Sequence, residues 1–108
     1  MNVTFIDKKT EDKFESLKEG KYEDKQLYKF IDRAIEDLKV NIVGENIPKR
    51  LIPKEYIKKY GIDNLRKYNL PDAWRLLYTV VGKDIKILNI IIEWMTHKEY
   101  ERKFKYKS

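Results

Sequence analysis

One arginine stands inside a stretch that is otherwise apolar. In Leu70-Pro71-Asp72-Ala73-Trp74-Arg75-Leu76-Leu77-Tyr78, Arg75 is flanked by hydrophobic residues on both sides. A permanently charged group in such a place needs a partner. Its planar guanidinium fits a carboxylate or a phosphate. Strand residues alternate between faces, so Trp74, Leu76, Tyr78 and Val80 share one face and Arg75, Leu77, Thr79 and Val81 the other. The second face has no evident apolar layer to cover it, and Arg75 is expected to project from it partly buried. An acid such as Glu93 could neutralise it, or its stem could simply cover sheet surface.

Composition limits the remaining chemistry. The 108 residues are expected to form one domain, 1–108, with 42% hydrophobic and 39% charged residues. There is no cysteine, which excludes disulfides, thiolate metal sites and a cysteine nucleophile. One histidine and four glycines give no basis for a metal cluster or a glycine-rich phosphate loop, and no cofactor is expected. No apolar run nears the roughly 20 residues of a membrane helix. Asp7-Lys8-Lys9 follows too early for a secretory leader, so the expected compartment is the cytoplasm, away from membranes. The net charge of +6 is uneven: residues 1–47 hold 9 Lys/Arg against 11 Asp/Glu, and residues 48–108 hold 15 against 7. The basic half contains Arg75, which suggests a polyanion or an acidic protein as partner, although a solvated lysine surface would give the same count.

Periodicity supplies the elements that must position these groups. Residues 2–6 read as a first strand and 10–18 as a short helix stopped by Gly20. Leu27, Ile31, Ala34, Ile35, Leu38 and Ile42 form the stripe of a long amphipathic helix. Residues 44–53, with Pro48 and Pro53, read as an irregular connection. Residues 53–61 carry proline at the first position and glycine after the last, the pattern of a short helix. A weaker strand is expected over 64–70, then a turn at Pro71-Asp72 with proline presetting its first central dihedral. Strands over 74–81 and 85–92 would form a hairpin about Gly82-Lys83-Asp84. Thr96 and Glu99 make a capping box for a last helix from His97 to about Lys103. The expected fold is α+β: a small antiparallel sheet of about four strands, two N-terminal helices packed on one face, and a short C-terminal helix.

This element order, together with the Trp74-Arg75-Leu76-Leu77-Tyr78 strand, the isoleucine-rich strand after it and the terminal His97-Lys98-Glu99-Tyr100, resembles the RelE/ParE superfamily of toxins from toxin–antitoxin pairs. Among its branches the chain looks most like archaeal RelE-type sequences. The resemblance implies a ribosome-dependent endoribonuclease that cuts mRNA without a metal, the nucleotide's own 2′-OH attacking the adjacent phosphate. It also implies a cognate antitoxin as protein partner.

Carried over by position, the resemblance makes Arg75 the phosphate-contacting strand arginine, puts Lys67 and Arg66 in the basic strand, and makes Tyr100 the C-terminal aromatic hydroxyl. His97 falls where some branches keep a catalytic histidine, and an imidazole can exchange a proton near neutral pH. Glu93 could act as a base or as Arg75's ion-pair partner. Lys49, Arg50, Lys58, Lys59 and Arg102 are candidate RNA contacts, or simply a solvated face. Tyr100, Phe104 and Tyr106 could instead close the core, and Trp74 and Trp94 could be packing residues. Where ribosome-dependent members carry a further arginine, this chain reads Glu93-Trp94-Met95. The alternative is therefore a ParE-like or catalytically decayed member that acts by binding protein, as a gyrase-type inhibitor or an antitoxin-binding module.

Overall fold

The chain runs β1 (Asn2–Phe5), α1 (Lys8–Ser16), α2 (Tyr22–Val40), β2 (Glu45–Asn46), α3 (Lys54–Tyr60), β3 (Arg66–Leu70), β4 (Trp74–Lys83), β5 (Lys86–Thr96) and α4 (His97–Phe104). The computed structural model describes residues 1–83 and 86–104. Single 3-10 turns lie at Leu17–Glu19 and Lys49–Leu51. The fold is α+β, as the periodicity predicts, with a five-stranded sheet in the order β1-β5-β4-β3-β2. It is mixed rather than purely antiparallel: β1 pairs parallel to β5, Phe5 opposite Ile91, because the two N-terminal helices return the chain to the sheet on the far side.

The long helix buries Leu27, Ile31, Ala34 and Leu38, the expected stripe. It stops at Val40, so Ile42 lies beyond it and is exposed. The first helix begins before Thr10, because Asp7 caps it by accepting from Thr10 N at 2.8 Å. These helices cover one face of the sheet, packing Phe14, Leu27, Ile31, Ala34 and Leu38 on Leu70, Leu76, Tyr78 and Ile91, with Trp74 and Trp94 half-buried beside them.

The face that carries Arg75 is covered as well, which corrects the expectation of a bare surface. Ile47 and Ile52 of the connection, Tyr56 of α3, and Ile62 and Leu65 between α3 and β3 join Tyr100 and Phe104 of α4 over Leu77, Ile92 and Met95. Isolated apolar residues among prolines and lysines carry no period, yet each is buried. The connection also supplies the edge strand β2, Glu45 opposite Lys67. The last strand runs four residues past the expected end, which puts Glu93 and Met95 in the sheet opposite Leu77 and Arg75.

The turn before β4 differs in detail. Asp72 and Ala73, with φ of 58° and 61°, are its central residues, and Trp74 N reaches Pro71 O at 3.4 Å. Pro71 therefore precedes the left-handed pair, a geometry that matches the twist of the hairpin. Of the expected hairpin turn after β4, Gly82 and Lys83 belong to β4; Asp84, Ile85 and Tyr106 lie outside the described residues. The capping box forms as expected: Thr96 N donates to Glu99 Oε1 at 3.0 Å and Glu99 N to Thr96 Oγ1 at 3.2 Å.

Candidate functional site

Arg75 is the second residue of β4, in register with Asn69 on one side and Met95 on the other. Its Nη1 donates to Trp74 O at 3.0 Å, and its Nη2 lies 3.0 Å from His97 Nδ1. Its Nε is buried and has no partner among the described residues. His97 arrives beside it because α4 begins where β5 ends, and His97 N donates to Ala73 O of the left-handed turn at 2.7 Å. The other ring nitrogen, Nε2, faces Glu101 Oε1 at 2.5 Å.

The direction of this relay follows from donor chemistry. A guanidinium carries only donors, so His97 Nδ1 must accept, and the ring proton sits on Nε2, which donates to Glu101. Glu101 thus orients the imidazole that Arg75 touches. Sequence reasoning missed Glu101, although His97 and Glu101 are four apart on a helix it predicted, a spacing that brings side chains together.

The remaining expected catalytic residues form two other groups on the same face of the sheet, each completed by a residue of α4. Lys67 pairs with Glu45 at 3.3 Å and sits 5.0 Å from the centre of the Tyr100 ring. Tyr100 itself is buried and stacks on Phe104 with centroids 4.5 Å apart. On the β5 side, Glu93 Oε2 accepts the Tyr56 hydroxyl in a short hydrogen bond and pairs with Lys103 Nζ at 3.3 Å. Lys103 also holds Glu55 at 2.7 Å. Burial, then the Glu93 carboxylate, push the Tyr56 phenol far above its ordinary range. Burial works against the Lys103 charge, but Glu55 and Glu93 outweigh it and raise that ammonium overall. Arg75 therefore meets His97, and Glu93 is taken by Tyr56 and Lys103.

Register explains the separation. Lys67, Leu77 and Glu93 form one row across the sheet, so two strand spacings, roughly 10 Å, separate the lysine from the acid. Alternation also sends Arg66 to the opposite face, where its Nε reaches the Tyr78 hydroxyl at 3.2 Å and its Nη2 reaches Gly44 O at 2.9 Å. The other expected RNA contacts ride on the layer over Arg75's face: Lys49 and Arg50 on the 3-10 turn, Lys58 and Lys59 on α3, Arg102 on α4, all exposed.

Among the described residues no group of three or more His, Asp or Glu is placed to hold a metal ion, and no helix is long and apolar enough to cross a membrane. No family model, curated protein or solved structure matches the chain.

Proposed function

We propose that the chain is a RelE-like toxin, a ribosome-dependent endoribonuclease that cleaves mRNA in the cytoplasm and is neutralised by a cognate antitoxin. One observation carries this reading: a half-buried arginine with an unused Nε–H touches an imidazole that a carboxylate orients. Those are the groups a metal-free phosphodiester cleavage needs. An incoming phosphate would draw the Arg75 donors to itself and leave His97 Nδ1 open. That nitrogen would then take the proton of the 2′-hydroxyl as its oxygen bonds to phosphorus. The bond from phosphorus to the 5′-oxygen breaks, the leaving oxygen takes a proton from solvent, and the products are a 2′,3′-cyclic phosphate and a 5′-hydroxyl; His97 then returns its proton to solvent. Arg75 offsets the charge that develops on the phosphoryl oxygens. Lys67 lies on the same face and would meet the flanking phosphate by charge, with the buried Tyr100 ring holding its ammonium from below.

The exposed cations on the 3-10 turn, α3 and α4 supply a basic rim of the kind that meets ribosomal RNA. A second reading, a protein-binding toxin or antitoxin-binding module without nuclease activity, is favoured by the ties that hold Lys67 to Glu45 and Glu93 to Tyr56 and Lys103. Controlled expression tests the first reading. Wild type should arrest growth, and Arg75→Ala, purified with an unchanged fold, should not. Equal arrest by both proteins would remove Arg75 from the site.

A further inference from the structure

A cavity of about 240 Å³ opens between α1, α3, β5 and α4, away from the Arg75–His97 contact. It exists because β1 stops: Phe5 pairs with Ile91, the chain turns into α1, and β5 continues to Thr96 with a strand on one side only. Glu93 lines it. The Oε2 atom of that carboxylate is used by Tyr56 and Lys103, whereas Oε1 has no partner among the described residues. Tyr60 and Trp94, both half-buried, supply aromatic wall. Lys9, Lys13 and Lys59 also line it, all three exposed and, among the described residues, outside any ion pair. The two other acids are occupied, Asp7 in capping α1 and Glu55 in holding Lys103.

A ligand matched to this lining presents a hydrogen-bond donor to a carboxylate oxygen, a flat apolar body to the aromatic wall and an anion to the ammonium groups of Lys9, Lys13 and Lys59, the last of which lies 5.3 Å from the centre of the Tyr60 ring. We infer that the cavity binds a ribonucleoside monophosphate, its ribose hydroxyls on Glu93 Oε1, its base against Tyr60 and Trp94, and its phosphate among Lys9, Lys13 and Lys59. The volume lies below the roughly 300–1,000 Å³ of pockets that enclose drug-sized ligands. The sugar and base edge therefore enter, and the phosphate stays at the lysine-lined opening. The inference does not depend on RNA cleavage, since none of these groups touches Arg75 or His97.

Calorimetric titration of the full-length resting protein with AMP, GMP, CMP and UMP tests it, with inorganic phosphate and 2′,3′-dideoxyadenosine monophosphate as controls. Binding should saturate with the ribonucleotides. The dideoxy analogue should bind at least tenfold more weakly, because it lacks the donors for Glu93. Lys13→Ala/Lys59→Ala, two exposed changes that leave the core intact, should weaken AMP at least tenfold and flatten its dependence on salt. Absence of binding at millimolar nucleotide would overturn the proposal. So would inorganic phosphate binding as tightly as AMP, or a dideoxy analogue that binds equally well.

Discussion

Arg75 and His97 meet at 3.0 Å although 22 residues separate them in the chain, and the contact depends on a backbone bond from His97 N to Ala73 O. The left-handed turn at Asp72 and Ala73 brings β4 back beside the end of β5, where α4 starts. Cation and imidazole are thus set by one turn and one helix start. The expected consequences concern each of these parts.

Arg75→Ala should leave the protein folded. The guanidinium makes two contacts, one of them to its own neighbour's carbonyl, and buries an unpaired Nε. Its loss should shift unfolding free energy by no more than about 1 kcal/mol, in either direction. Chemical denaturation of both proteins checks this, and a loss several times larger would mark Arg75 as a structural residue.

His97→Ala should lower RNA cleavage by about 10²–10⁴-fold, the usual worth of a positioned proton-transfer group. Glu101→Gln should cost less, because the carboxylate acts by orienting the imidazole. It should also change the pH–rate profile, which a purely structural residue would not do. Single-turnover rates measured across pH separate the two roles.

Ala73→Gly should stabilise the fold. An alanine with φ of 61° has its Cβ in a region that costs about 1–2 kcal/mol, of which glycine's greater chain entropy returns part. The expected net gain is about 0.5–1 kcal/mol by thermal or urea unfolding. A loss would mean that the Ala73 methyl makes a favourable contact.

The capping box should be visible in acid. A backbone hydrogen bond from Thr96, and then its side chain, hold the Glu99 carboxyl below its ordinary range. Glu99 thus contributes stability above the usual carboxylate range, and that contribution is lost as pH falls through its folded value. Thr96→Ala should cost about 1 kcal/mol near neutrality and less in acid. Unfolding free energies measured across the acid range test the sign.

Three tyrosines should make the fold fail in base. Burial and then Glu93 raise Tyr56, burial and then Asp37 raise Tyr68, and burial raises Tyr78 against the opposing Arg66. Unfolded phenols ionise near an ordinary value of about 10. The folded ones ionise above it, so stability is intact below that pH and falls as pH rises past it. Denaturant unfolding at successive alkaline pH values should show the decline, and Tyr56→Phe should make it shallower.

The fold was legible where a period repeats. The stripe from Leu27 to Leu38, the alternation about Arg75 and the Thr96–Glu99 box each repeat or pair over a few residues, and each element forms where expected. The second apolar layer was only partly legible: Leu65 falls in the strand expected over 64–70, although β3 begins one residue after it, whereas Ile47, Ile52 and Ile62 stand singly in irregular chain and their burial is decided by tertiary packing. The same holds for the candidate site. Arg75 and His97 were visible as residue types, and Glu101 as a helical spacing. The ties of Glu93 to Tyr56 and Lys103 arise from α3 and α4 closing over the sheet, which no local pattern encodes.

Primer extension on cellular transcripts, after brief induction of the wild type and of Arg75→Ala, tests the central claim most directly. The account predicts new 5′ ends within coding regions for the wild type and none for the variant. Growth arrest by the wild type with transcripts left uncut would contradict it.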